Sequence, residues 1–519
     1  MSATWPPHLG KKLDYPEVAV GAIVAGSARR FGDRVAFRHH GSELTYTELW
    51  RGACQFANGL VSRGIKPGDR VALRMPNCLP FPVAYYGLLL AGATFVPVNP
   101  LMPEPIVAAQ LQDAGAVLTV QADDVAEIRA GQSDTPPDVE IDIHRDLAHL
   151  AYTGGTTGRS KGVCLPHRNV VVNSLQFACW QSGSVPALDD EGGLILDQIS
   201  DPAEYRNRVG EGRLINLTPW FHAMGTVGGL SVLVLGGATA TLHDRFDPVA
   251  YLADAEKYQI NYMGGAPALY AALLACPDIH RRDLSTVLNI GSGAAPMPHE
   301  MTNALQRLMP NAVIIEGYGL TEVTMGAAAS PPFVSGLRKV GTVGVPVFDT
   351  EIKLVPVEGG SEAVPVGEPG EVCIRGPQVM VGYHNQPAET AEVLVDGWLH
   401  TGDVGVFDED GFLSIVDRKK DMLIYKGYNV YPRELEELLT AHPDVALAAV
   451  VGRKDVEVGE RPVAFIVPVK PDVDAEQVMA DINAQVVPYK RLREIVVTDQ
   501  IPISPAGKIL KRELRERLA

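Results

Sequence analysis

The stretch Tyr152–Val163 reads Tyr-Thr-Gly-Gly-Thr-Thr-Gly-Arg-Ser-Lys-Gly-Val and combines glycines, aliphatic hydroxyls and two cations. Glycine allows positive φ and lets backbone amides approach an anion closely. The hydroxyls and Lys161 supply side-chain donors for phosphate oxygens. The stretch therefore predicts a loop that binds a polyphosphate, with an ordinary Gly/Ser/Thr hairpin as the alternative. No Walker A register can be placed on it, so the predicted loop is of a different kind.

The bulk composition is that of a soluble enzyme, and the length of 519 residues suggests about three domains or subdomains. The net charge of -17 argues against nucleic acid as a partner, because binding to phosphate backbones needs clustered Lys and Arg. The six cysteines are scattered without a Cys-x-x-Cys pair, which is typical of reduced thiols in the cytosol. We expect a cytoplasmic protein without a signal peptide or a membrane span, for which peripheral membrane contact stays open.

Short apolar strands alternate with helices from about residue 16 to residue 316, which indicates a parallel α/β sheet. Within this part, residues 122–146 are expected to be irregular, and Ser182–Gly212 is expected to be a surface insertion or flexible loop. From Gly341 onward, alternating runs between Pro/Gly turns indicate a small barrel-like β subdomain. The charged run Asp417–Asp421 is predicted to be a solvated boundary, followed by an α+β domain of roughly 100 residues. In that domain, Pro432–Ala441 is predicted to be an amphipathic helix with Leu435, Leu438 and Leu439 on one face.

Three of the predicted strands end in turns that contain glycine. These turns are Gly264-Gly265-Ala266-Pro267, Gly291–Pro296 and Glu316–Gly319. Open α/β sheets bind their ligands at such carboxyl ends of strands. We therefore expect the three turns to contribute to one composite site.

Three further motifs carry polar groups that a core would not hold. In Tyr318–Glu322, the tyrosine can stack on a heterocycle, the threonine can bind phosphate and the glutamate can hold Mg²⁺. In Thr401-Gly402-Asp403, predicted to be a tight turn, the aspartate can accept both hydroxyls of a ribose. In Pro502–Lys508, a lysine of a separate small domain can reach an active site by domain movement. Taken singly, the motifs also fit a helix start, a hairpin turn and an idle exposed lysine.

Together these motifs resemble those of a known superfamily. The order Tyr152–Val163, Tyr318–Glu322, Thr401–Asp403, Asp417–Arg418 and Ser504–Lys508 is that of the adenylate-forming superfamily. This group contains acyl-CoA synthetases, firefly-luciferase-like enzymes and adenylation domains of peptide synthetases. The resemblance extends from about Leu44 to Leu510. The start of the chain, from His8 to Pro16, and the double glycine of the loop are most similar to bacterial fatty-acid-CoA ligases.

The resemblance implies an α/β fold with two domains. Residues 1–417 would form a large N-terminal domain of two α/β sheet subdomains plus a small β-barrel-like subdomain. Residues 418–519 would form a small mobile α+β C-terminal domain, with a hinge near Lys420.

The resemblance also implies two half-reactions that use ATP, Mg²⁺ and coenzyme A. A carboxylate would attack the α-phosphate of ATP to give an acyl-adenylate and pyrophosphate, and the thiolate of coenzyme A would then displace AMP. The first step needs charge to be neutralised on the phosphates. The catalytic residues implied are Lys508, Thr321, Glu322 and His222, with Glu322 as the metal ligand. The residues implied to bind the nucleotide and coenzyme A are Thr153, Gly154, Gly155, Thr156, Thr157, Gly158, Lys161, Gly293, Ala294, Ala295, Glu316, Gly317, Tyr318, Gly319, Thr321, Asp403, Arg418, Lys420, Lys426, Gly427 and Tyr428.

The resemblance places the acyl pocket around the run Trp-Phe-His-Ala-Met. The implied lining residues are Trp220, Phe221, His222, Met224, Gly225, Gly264, Gly265 and Met325. Relatives that activate amino acids have an aspartate near this segment, and its absence here disfavours amino acids. His222 beside an aromatic residue is compatible with fatty or aryl acids, and we expect a medium- or long-chain fatty acid. The alternatives are an aryl-acid-CoA ligase, a stand-alone adenylating enzyme that loads a carrier protein and, from a different class, a non-catalytic nucleotide-binding protein. We expect small-molecule partners and a monomer or homodimer.

Overall fold

The computed structural model describes residues 4–6, 8–153, 160–293, 297–503 and 509–518. They form two compact units of unequal size. The larger unit takes its described residues from 1–155, 159–351 and 374–399, and the smaller takes them from 352–373 and 400–519. The chain is thus an α/β protein with a large unit that contains the N-terminus and a smaller unit that contains the C-terminus.

Strands and helices alternate along most of the chain. The strands are β1 (Val35–His39), β2 (Ser42–Thr45), β3 (Arg70–Leu73), β4 (Thr94–Pro97), β5 (Ala116–Val120), β6 (Leu147–Tyr152), β7 (Gly162–Pro166), β8 (Ser184–Leu188), β9 (Leu194–Gln198), β10 (Arg213–Asn216), β11 (Thr239–Leu242), β12 (Tyr262–Gly265), β13 (Asn289–Ser292), β14 (Val313–Tyr318), β15 (Ala328–Ala329), β16 (Val345–Pro346), β17 (Glu351–Val355), β18 (Gly370–Arg375), β19 (Gly382–Tyr383), β20 (Leu394–Val395), β21 (Trp398–Phe407), β22 (Leu413–Arg418), β23 (Leu423–Tyr425), β24 (Tyr428–Val430), β25 (Val445–Asp455), β26 (Gly459–Pro468) and β27 (Glu494–Val497).

The helices connect these strands. The α-helices are α1 (Gly21–Phe31), α2 (Tyr46–Ser62), α3 (Pro80–Leu90), α4 (Glu104–Ala114), α5 (Asp124–Arg129), α6 (His167–Ser182), α7 (Leu233–Leu235), α8 (Pro248–Lys257), α9 (Pro267–Ala275), α10 (His299–Leu308), α11 (Pro387–Val393), α12 (Pro432–Thr440), α13 (Ala475–Asn483) and α14 (Lys511–Glu516). A π-helix spans Met224–Val232, and 3₁₀ turns span Pro277–Arg281 and Thr321–Val323. Among the described residues, no helix is both long enough and apolar enough to cross a membrane.

The larger unit contains a nine-stranded sheet in the order β16-β15-β14-β13-β12-β10-β11-β1-β2. Its six strands from β14 to β1 run parallel. The outer strands β2, β15 and β16 pair antiparallel with their neighbours. One face of the sheet packs on a core that includes Met263, Tyr270 and Ile290. The parallel α/β sheet predicted from the alternating strands and helices is therefore confirmed.

The second sheet of the larger unit has six strands in the order β19-β7-β6-β4-β3-β5. Strands β6, β4, β3 and β5 run parallel, whereas β7 is antiparallel to β6. Strands β6 and β7 lie on either side of the predicted phosphate loop in the sequence. The short strand β19 pairs with β7 and sets Tyr383 opposite Val163. This pairing brings a distant part of the chain to the base of the loop.

The segment Ser182–Gly212 is not the flexible loop that its composition predicted. Its strands β8 and β9 form a hairpin in which Leu194 is buried. The hairpin packs closely on α1, because a Cβ on Gly26 would lie only 2.2 Å from the carbonyl oxygen of Leu194. Arg29 of the same helix donates to both carboxylate oxygens of Asp189, at 2.7 and 2.8 Å. Gly26 allows the close contact between α1 and the hairpin, and the ion pair of Arg29 with Asp189 holds the end of the hairpin on the helix.

One further local prediction was wrong. Residues 122–146, expected to be irregular, contain the helix α5, whose Val125 and Ile128 are buried. The helical segment Met224–Val232, which precedes α7, is a π-helix. Its Gly229 carbonyl accepts a hydrogen bond from Asn216 at 2.8 Å and one from the Trp220 indole at 3.2 Å. Side chains that bond to helix carbonyls accompany departures from α-helical geometry, and π-helical segments are frequent at functional sites.

The smaller unit contains a sheet in the order β24-β23-β26-β25, with β27 beside β26. Leu435 and Leu439 of α12 and Ile482 of α13 are buried in its main core. Leu514 of α14 belongs to a second core with Phe465 of the sheet. The apolar face predicted for α12 is thus the face that packs, and the C-terminal α+β unit is confirmed.

The charged run that begins at Asp417 is not simply solvated, because the Asp417 residue is only 6% exposed. Its carboxylate accepts hydrogen bonds from the backbone amides of Arg418 at 2.7 Å and Arg433 at 3.0 Å. Arg433 lies in the first turn of α12, where amides lack helical partners and favour a negative charge. Burial raises the pKa of Asp417, and the nearby Lys511 opposes that shift.

The β subdomain predicted after Gly341 is a five-stranded sheet in the order β17-β18-β21-β20, with β22 paired to β21. The motif Thr401-Gly402-Asp403 lies inside the long strand β21 rather than in the predicted tight turn. Gly402 has φ of 70°, and Asp403 pairs with Arg418 of β22. The glycine therefore supplies a local change of strand direction and does not reverse the chain.

Replacement of Gly26 by alanine tests how the hairpin β8–β9 packs on α1. The new Cβ would meet backbone atoms of Leu194, which cannot rotate away. We expect overpacking of about 1–3 kcal/mol, measured as a lower thermal unfolding midpoint and faster proteolysis within residues 184–198. Gly21→Ala in the same helix is the matched control, because its Cβ would meet only the side-chain tip of Leu90. Equal effects of the two substitutions would contradict the packing described.

Candidate functional site

Three neighbouring strands of the nine-stranded sheet end side by side. Gly265 of β12 is in register with Ser292 of β13, and Ser292 is in register with Glu316 of β14. The amide of Gly293 donates to the carbonyl of Gly265 at 3.3 Å. The three glycine-bearing turns predicted from the sequence therefore meet at one edge, which is where open α/β sheets bind ligands.

In the turn after β14, the backbone at Gly319 lies close to the backbone at Met325. A Cβ on Gly319 would lie 1.9 Å from the carbonyl oxygen of Met325, so that only glycine fits. Thr321–Val323 forms a single 3₁₀ turn instead of the start of a longer helix. Thr324, which follows it, has φ of 69° and donates its hydroxyl to Gln378 O at 2.8 Å. The carboxylate of Glu316 accepts a hydrogen bond from the Met297 amide at 3.0 Å.

The base of the predicted phosphate loop is closed by hydrogen bonds. The Thr153 amide donates to the Lys161 carbonyl at 3.0 Å, and the Ser160 hydroxyl donates to the Thr153 carbonyl. These bonds continue the pairing of β6 with β7. The loop residues Gly154, Gly155, Thr156, Thr157 and Gly158 lie outside the described residues.

Tyr383 links the base of this loop to the turn after β14. Lys161 Nζ lies 4.7 Å from the centre of the Tyr383 ring. The Tyr383 hydroxyl donates to Glu322 Oε1 at 2.9 Å. Burial and the Glu322 carboxylate raise the pKa of Tyr383, which keeps the phenol protonated as a donor. One ring therefore holds a lysine and a carboxylate near each other.

Tyr383 is not among the residues predicted from the sequence. The residue is an aromatic in the polar run Gly382–Asn385, which has no feature that distinguishes it from other turns. Its position depends on the antiparallel pairing of β19 with β7. A single sequence does not reveal this long-range register, so no local signal would have found the residue.

The residues predicted to line the acyl pocket differ in their exposure. Trp220 is fully buried against Phe37 and Phe81, and its amide donates to Asn77 Oδ1 at 2.9 Å. Gly225 is also buried, with Pro219 O only 1.9 Å from where its Cβ would be. Trp220 and Gly225 therefore anchor the segment from Trp220 to Gly225 by burial. The others are exposed or half-buried, namely Phe221, His222, Met224, Gly264, Gly265 and Met325.

Two methionines lie over glycines at the strand ends and on the π-helix. Met224 Cε lies 3.2 Å from where a Cβ of Gly293 would be, and Met224 is 40% exposed. Met325 Sδ lies 2.8 Å from where a Cβ of Gly228 would be. The structure therefore brings Met224 to the strand-end glycine Gly293, and Met325 to the π-helix.

In the smaller unit, Asp403 and Arg418 face each other across β21 and β22. Arg418 Nε lies 3.3 Å from Asp403 Oδ1, and the Asp403 side chain is 13% exposed. The buried Glu371 supports this segment, since it accepts hydrogen bonds from the Gly402 amide at 3.2 Å and from Lys419 Nζ at 3.0 Å. The sequence-predicted pair is therefore brought together.

Lys426 and Gly427 form the two-residue turn between β23 and β24, with φ of 51° and 83°. Positive φ at both central residues is the type I′ geometry that suits a hairpin. The next residue, Tyr428, is 57% exposed and stacks on Tyr489 with ring centres 4.7 Å apart. Burial, together with the charge of Arg418, lowers the pKa of Lys420. Lys508 in this part of the chain, and Ala294 and Ala295 after β13, lie outside the described residues.

Two buried histidines support the elements around the loop. His149 of β6 has Nε2 2.8 Å from the Tyr85 hydroxyl. His167 begins α6, and its Nδ1 accepts a hydrogen bond from the Val20 amide at 3.2 Å. Burial lowers the pKa of His149 to about 3 and that of His167 to about 4. Both imidazoles are therefore neutral near pH 7.

The fold is that of an adenylate-forming α/β protein. The chain belongs to the AMP-binding enzyme family, whose sequence pattern matches residues 24–384. The pattern of the AMP-binding enzyme C-terminal domain matches residues 434–508. This family membership confirms the resemblance found in the sequence motifs.

Relatives of this chain include acid–CoA ligases. The chain is 32% identical to a long-chain-fatty-acid–CoA ligase of Bacillus subtilis strain 168, over 99% of this chain and 97% of that protein. It is 35% identical to a feruloyl-CoA synthase of an Amycolatopsis species, over 96% of this chain and 99% of that protein. The crystal structure of ATP-bound MatB from Rhodopseudomonas palustris is similar with a TM-score of 0.83 at 28% identity, over 96% and 99% of the two chains. The chain is therefore a member of the AMP-forming acid–CoA ligase class.

Tyr383→Phe tests the link between Lys161 and Glu322. The substitution keeps the ring under Lys161 and removes the hydrogen bond to Glu322, and a bond to a charged group is worth about 1.5–3 kcal/mol. We expect the Mg²⁺ concentration for half-maximal pyrophosphate release to rise on the order of tenfold, with little change in unfolding temperature. Tyr15→Phe is the matched control, because it removes a 2.9 Å bond from another tyrosine to a carboxylate, that of Asp349. An unchanged Mg²⁺ dependence in Tyr383→Phe would contradict the expectation that Glu322, oriented by Tyr383, holds Mg²⁺.

The two histidines predict how stability depends on pH. Their pKa values in the folded state lie below the ordinary value of 6.5, so the unfolded chain binds protons that the folded chain does not. The contribution of the two buried, neutral histidines to the free energy of unfolding is complete above pH 6.5. It is lost as the pH falls toward 4. At pH 5.5 the loss is about 1.4 kcal/mol for each histidine. Urea unfolding at pH 7.5 and 5.5 measures it, and His167→Asn should lose less stability between these pH values than the wild-type protein. An identical loss in both would refute the prediction.

Proposed function

We propose that the protein is an ATP-dependent acyl-CoA synthetase that activates a medium- or long-chain fatty acid. The observation that carries the proposal is that Tyr383 contacts both Lys161, through its ring, and Glu322, through its hydroxyl. Glu322 lies in the turn that follows β14. A cation and an acid held in this way suit a nucleoside triphosphate and its metal ion. Membership of the acid–CoA ligase class supports the same conclusion.

In the first half-reaction a carboxylate oxygen attacks the α-phosphorus of ATP, and the bond to pyrophosphate breaks. We assign the β- and γ-phosphates to Lys161 and to the loop residues Thr153–Gly158, which supply donors to the leaving group. Thr321 is assigned to the α-phosphate. Lys508 is assigned to the carboxylate and the α-phosphate, where its charge opposes the repulsion between two anions. These donors act by neutralising charge that moves onto pyrophosphate.

The residues present fit a magnesium ion. Glu322 is half-buried, and its Oε1 accepts the Tyr383 hydrogen bond while Oε2 has no hydrogen bond within the described part of the chain. A carboxylate oxygen of this kind is the ligand that Mg²⁺ prefers. When bound, the ion would supply positive charge to the phosphate oxygens. Tyr383 would keep the Glu322 carboxylate oriented.

The adenosine part of ATP is assigned to two sets of residues. The strand-end turns Gly293–Ala295 and Glu316–Gly319 are assigned to the adenine, with Tyr318 as the stacking ring. In the smaller unit, Asp403 and Arg418 are assigned to the ribose hydroxyls, because a carboxylate accepts hydrogen bonds from both.

In the second half-reaction the thiolate of coenzyme A attacks the acyl carbonyl carbon, and AMP leaves. We assign coenzyme A to Lys426, Gly427 and Tyr428, which form an exposed turn with a cation and an aromatic ring. Domain 418–519 would rotate relative to domain 1–417 about a hinge near Lys420 and exchange Lys508 for this turn. His222 would lie at the acyl end, where it is exposed beside the pocket.

The carboxylic acid is assigned to the pocket of Phe221, Met224, Gly264 and Met325. Its described residues are aromatic, aliphatic or glycine, which suits an apolar acyl chain. An aryl acid is the second candidate, and the 35% identity to a feruloyl-CoA synthase favours it. We propose small-molecule partners, a cytoplasmic location and a monomer or homodimer.

Pyrophosphate release with a panel of carboxylates tests the proposal. Straight-chain acids, aryl acids and amino acids are each supplied with ATP and Mg²⁺, and the thioester product is measured with coenzyme A or a phosphopantetheinylated carrier protein. We expect fatty acids to give the highest kcat/KM and coenzyme A to be the acceptor. Release that no carboxylate stimulates would refute an acid ligase, and thioester formation with the carrier alone would favour a loading enzyme.

Lys508→Ala separates the two half-reactions. The loss of the bridging charge should lower adenylate formation by at least about a hundredfold, the scale of a lost oxyanion donor. Thioester formation from supplied acyl-adenylate should stay near the wild-type rate. Lys511→Ala, in the following helix and paired with Glu436, is the matched control. Equal loss of both half-reactions in Lys508→Ala would contradict the assignment.

A further inference from the structure

Tyr262 occupies space that two glycines leave open on the nine-stranded sheet. It begins β12, so Gly264 lies two residues further on the same face. Gly264 is in register with Gly291 of β13. A Cβ on Gly264 would lie 3.0 Å from Tyr262 Cε1, and a Cβ on Gly291 would lie 2.4 Å from its Oη. The ring therefore extends across both strands where their side chains would otherwise be.

This face of the sheet is the one that meets the π-helix. Leu214 of β10 is in register with Tyr262, so Asn216 shares the face of Tyr262. Asn216 donates to the carbonyl of Gly229 on the π-helix at 2.8 Å. The opposite face carries Met263, which belongs to a sealed core with Tyr270. Tyr262 thus lies on the side of Met224 and Gly228, which border the acyl pocket.

The Tyr262 residue is partly buried, and its Oη makes no hydrogen bond to any residue in the described part of the chain. Tyr270, on the other face, donates its hydroxyl to the carbonyls of Met263 and Gly291 at 3.2 and 2.6 Å. The Tyr262 ring is therefore not held to the backbone by its hydroxyl, as the Tyr270 ring is.

We propose that the ring of Tyr262 sets the length limit of the acyl pocket, so that the enzyme takes acids no longer than a medium-length chain and rejects long chains. The inference rests on the proposed function. Gly264 and Gly291 give the pocket a floor without side chains, and the ring takes up the far part of that floor. A longer acid would need the volume that the ring fills. Volume conflicts in an apolar pocket discriminate by roughly ten- to two-hundredfold for each methylene.

Two variants test the proposal with the same panel of acids. Tyr262→Ala removes the ring, and Tyr262→Phe keeps its volume while removing the hydroxyl. The kcat/KM for hexanoate, octanoate, dodecanoate and palmitate is measured by pyrophosphate release for each protein. If an aryl acid is preferred, the ratio is taken between a para-alkyl and an unsubstituted aryl acid. Ratios within one protein are independent of the fraction that is folded.

We expect the ratio of palmitate to octanoate to rise on the order of tenfold or more in Tyr262→Ala. Tyr262→Phe should stay within about twofold of the wild-type ratio. An unchanged limit in Tyr262→Ala would overturn the proposal, and so would an equal shift in Tyr262→Phe. Efficient use of palmitate by the wild-type enzyme would also overturn it. These outcomes leave the proposed function intact, whereas a wild-type enzyme that adenylates no acid refutes that function and this inference with it.

Discussion

The parallel register of β12, β13 and β14 is the constraint on which the candidate site depends. Because Gly265, Ser292 and Glu316 lie side by side, the turns that follow these strands open at one edge. Parallel strands place their carboxyl ends together, so polar groups from distant parts of the sequence converge at this edge. The sealed core on the opposite face, with Met263 and Ile290, fixes this register through burial.

Tyr383 adds a second, independent link to the same edge. The six-stranded sheet receives β19 beside β7, and this pairing sets the Tyr383 ring against Lys161 while its hydroxyl reaches Glu322. The nine-stranded sheet carries the turn that contains Glu322. The relative position of the lysine and the carboxylate is therefore determined by one side chain that contacts both. A hydroxyl that stays protonated, because burial raises its pKa, suits that role.

The sequence predicted the parts of this arrangement that have local causes. Glycine turns after apolar strands, the amphipathic helix α12 and the order of motifs all follow from short-range composition. It did not predict what depends on distant partners. Asp417 was taken for a solvated charge, but the first turn of α12 supplies its hydrogen-bond donors. The hairpin β8–β9 was taken for a flexible loop, but Gly26 on α1 provides the surface on which it packs.

The glycines at the sheet edge illustrate why motifs identify the chemistry better than the substrate. Gly319 is required by the close approach of the Met325 backbone, which is a property of the turn itself. Gly264 and Gly291 also lack side chains, but the space they leave is filled by Tyr262, which lies two positions before Gly264 on β12 and reaches Gly291 on the neighbouring strand. The volume open to an acid therefore depends on a residue outside every motif. The residues proposed to bind phosphate lie within the sequence motifs, whereas the proposed limit on the length of the carboxylate comes from a side chain that no motif contains.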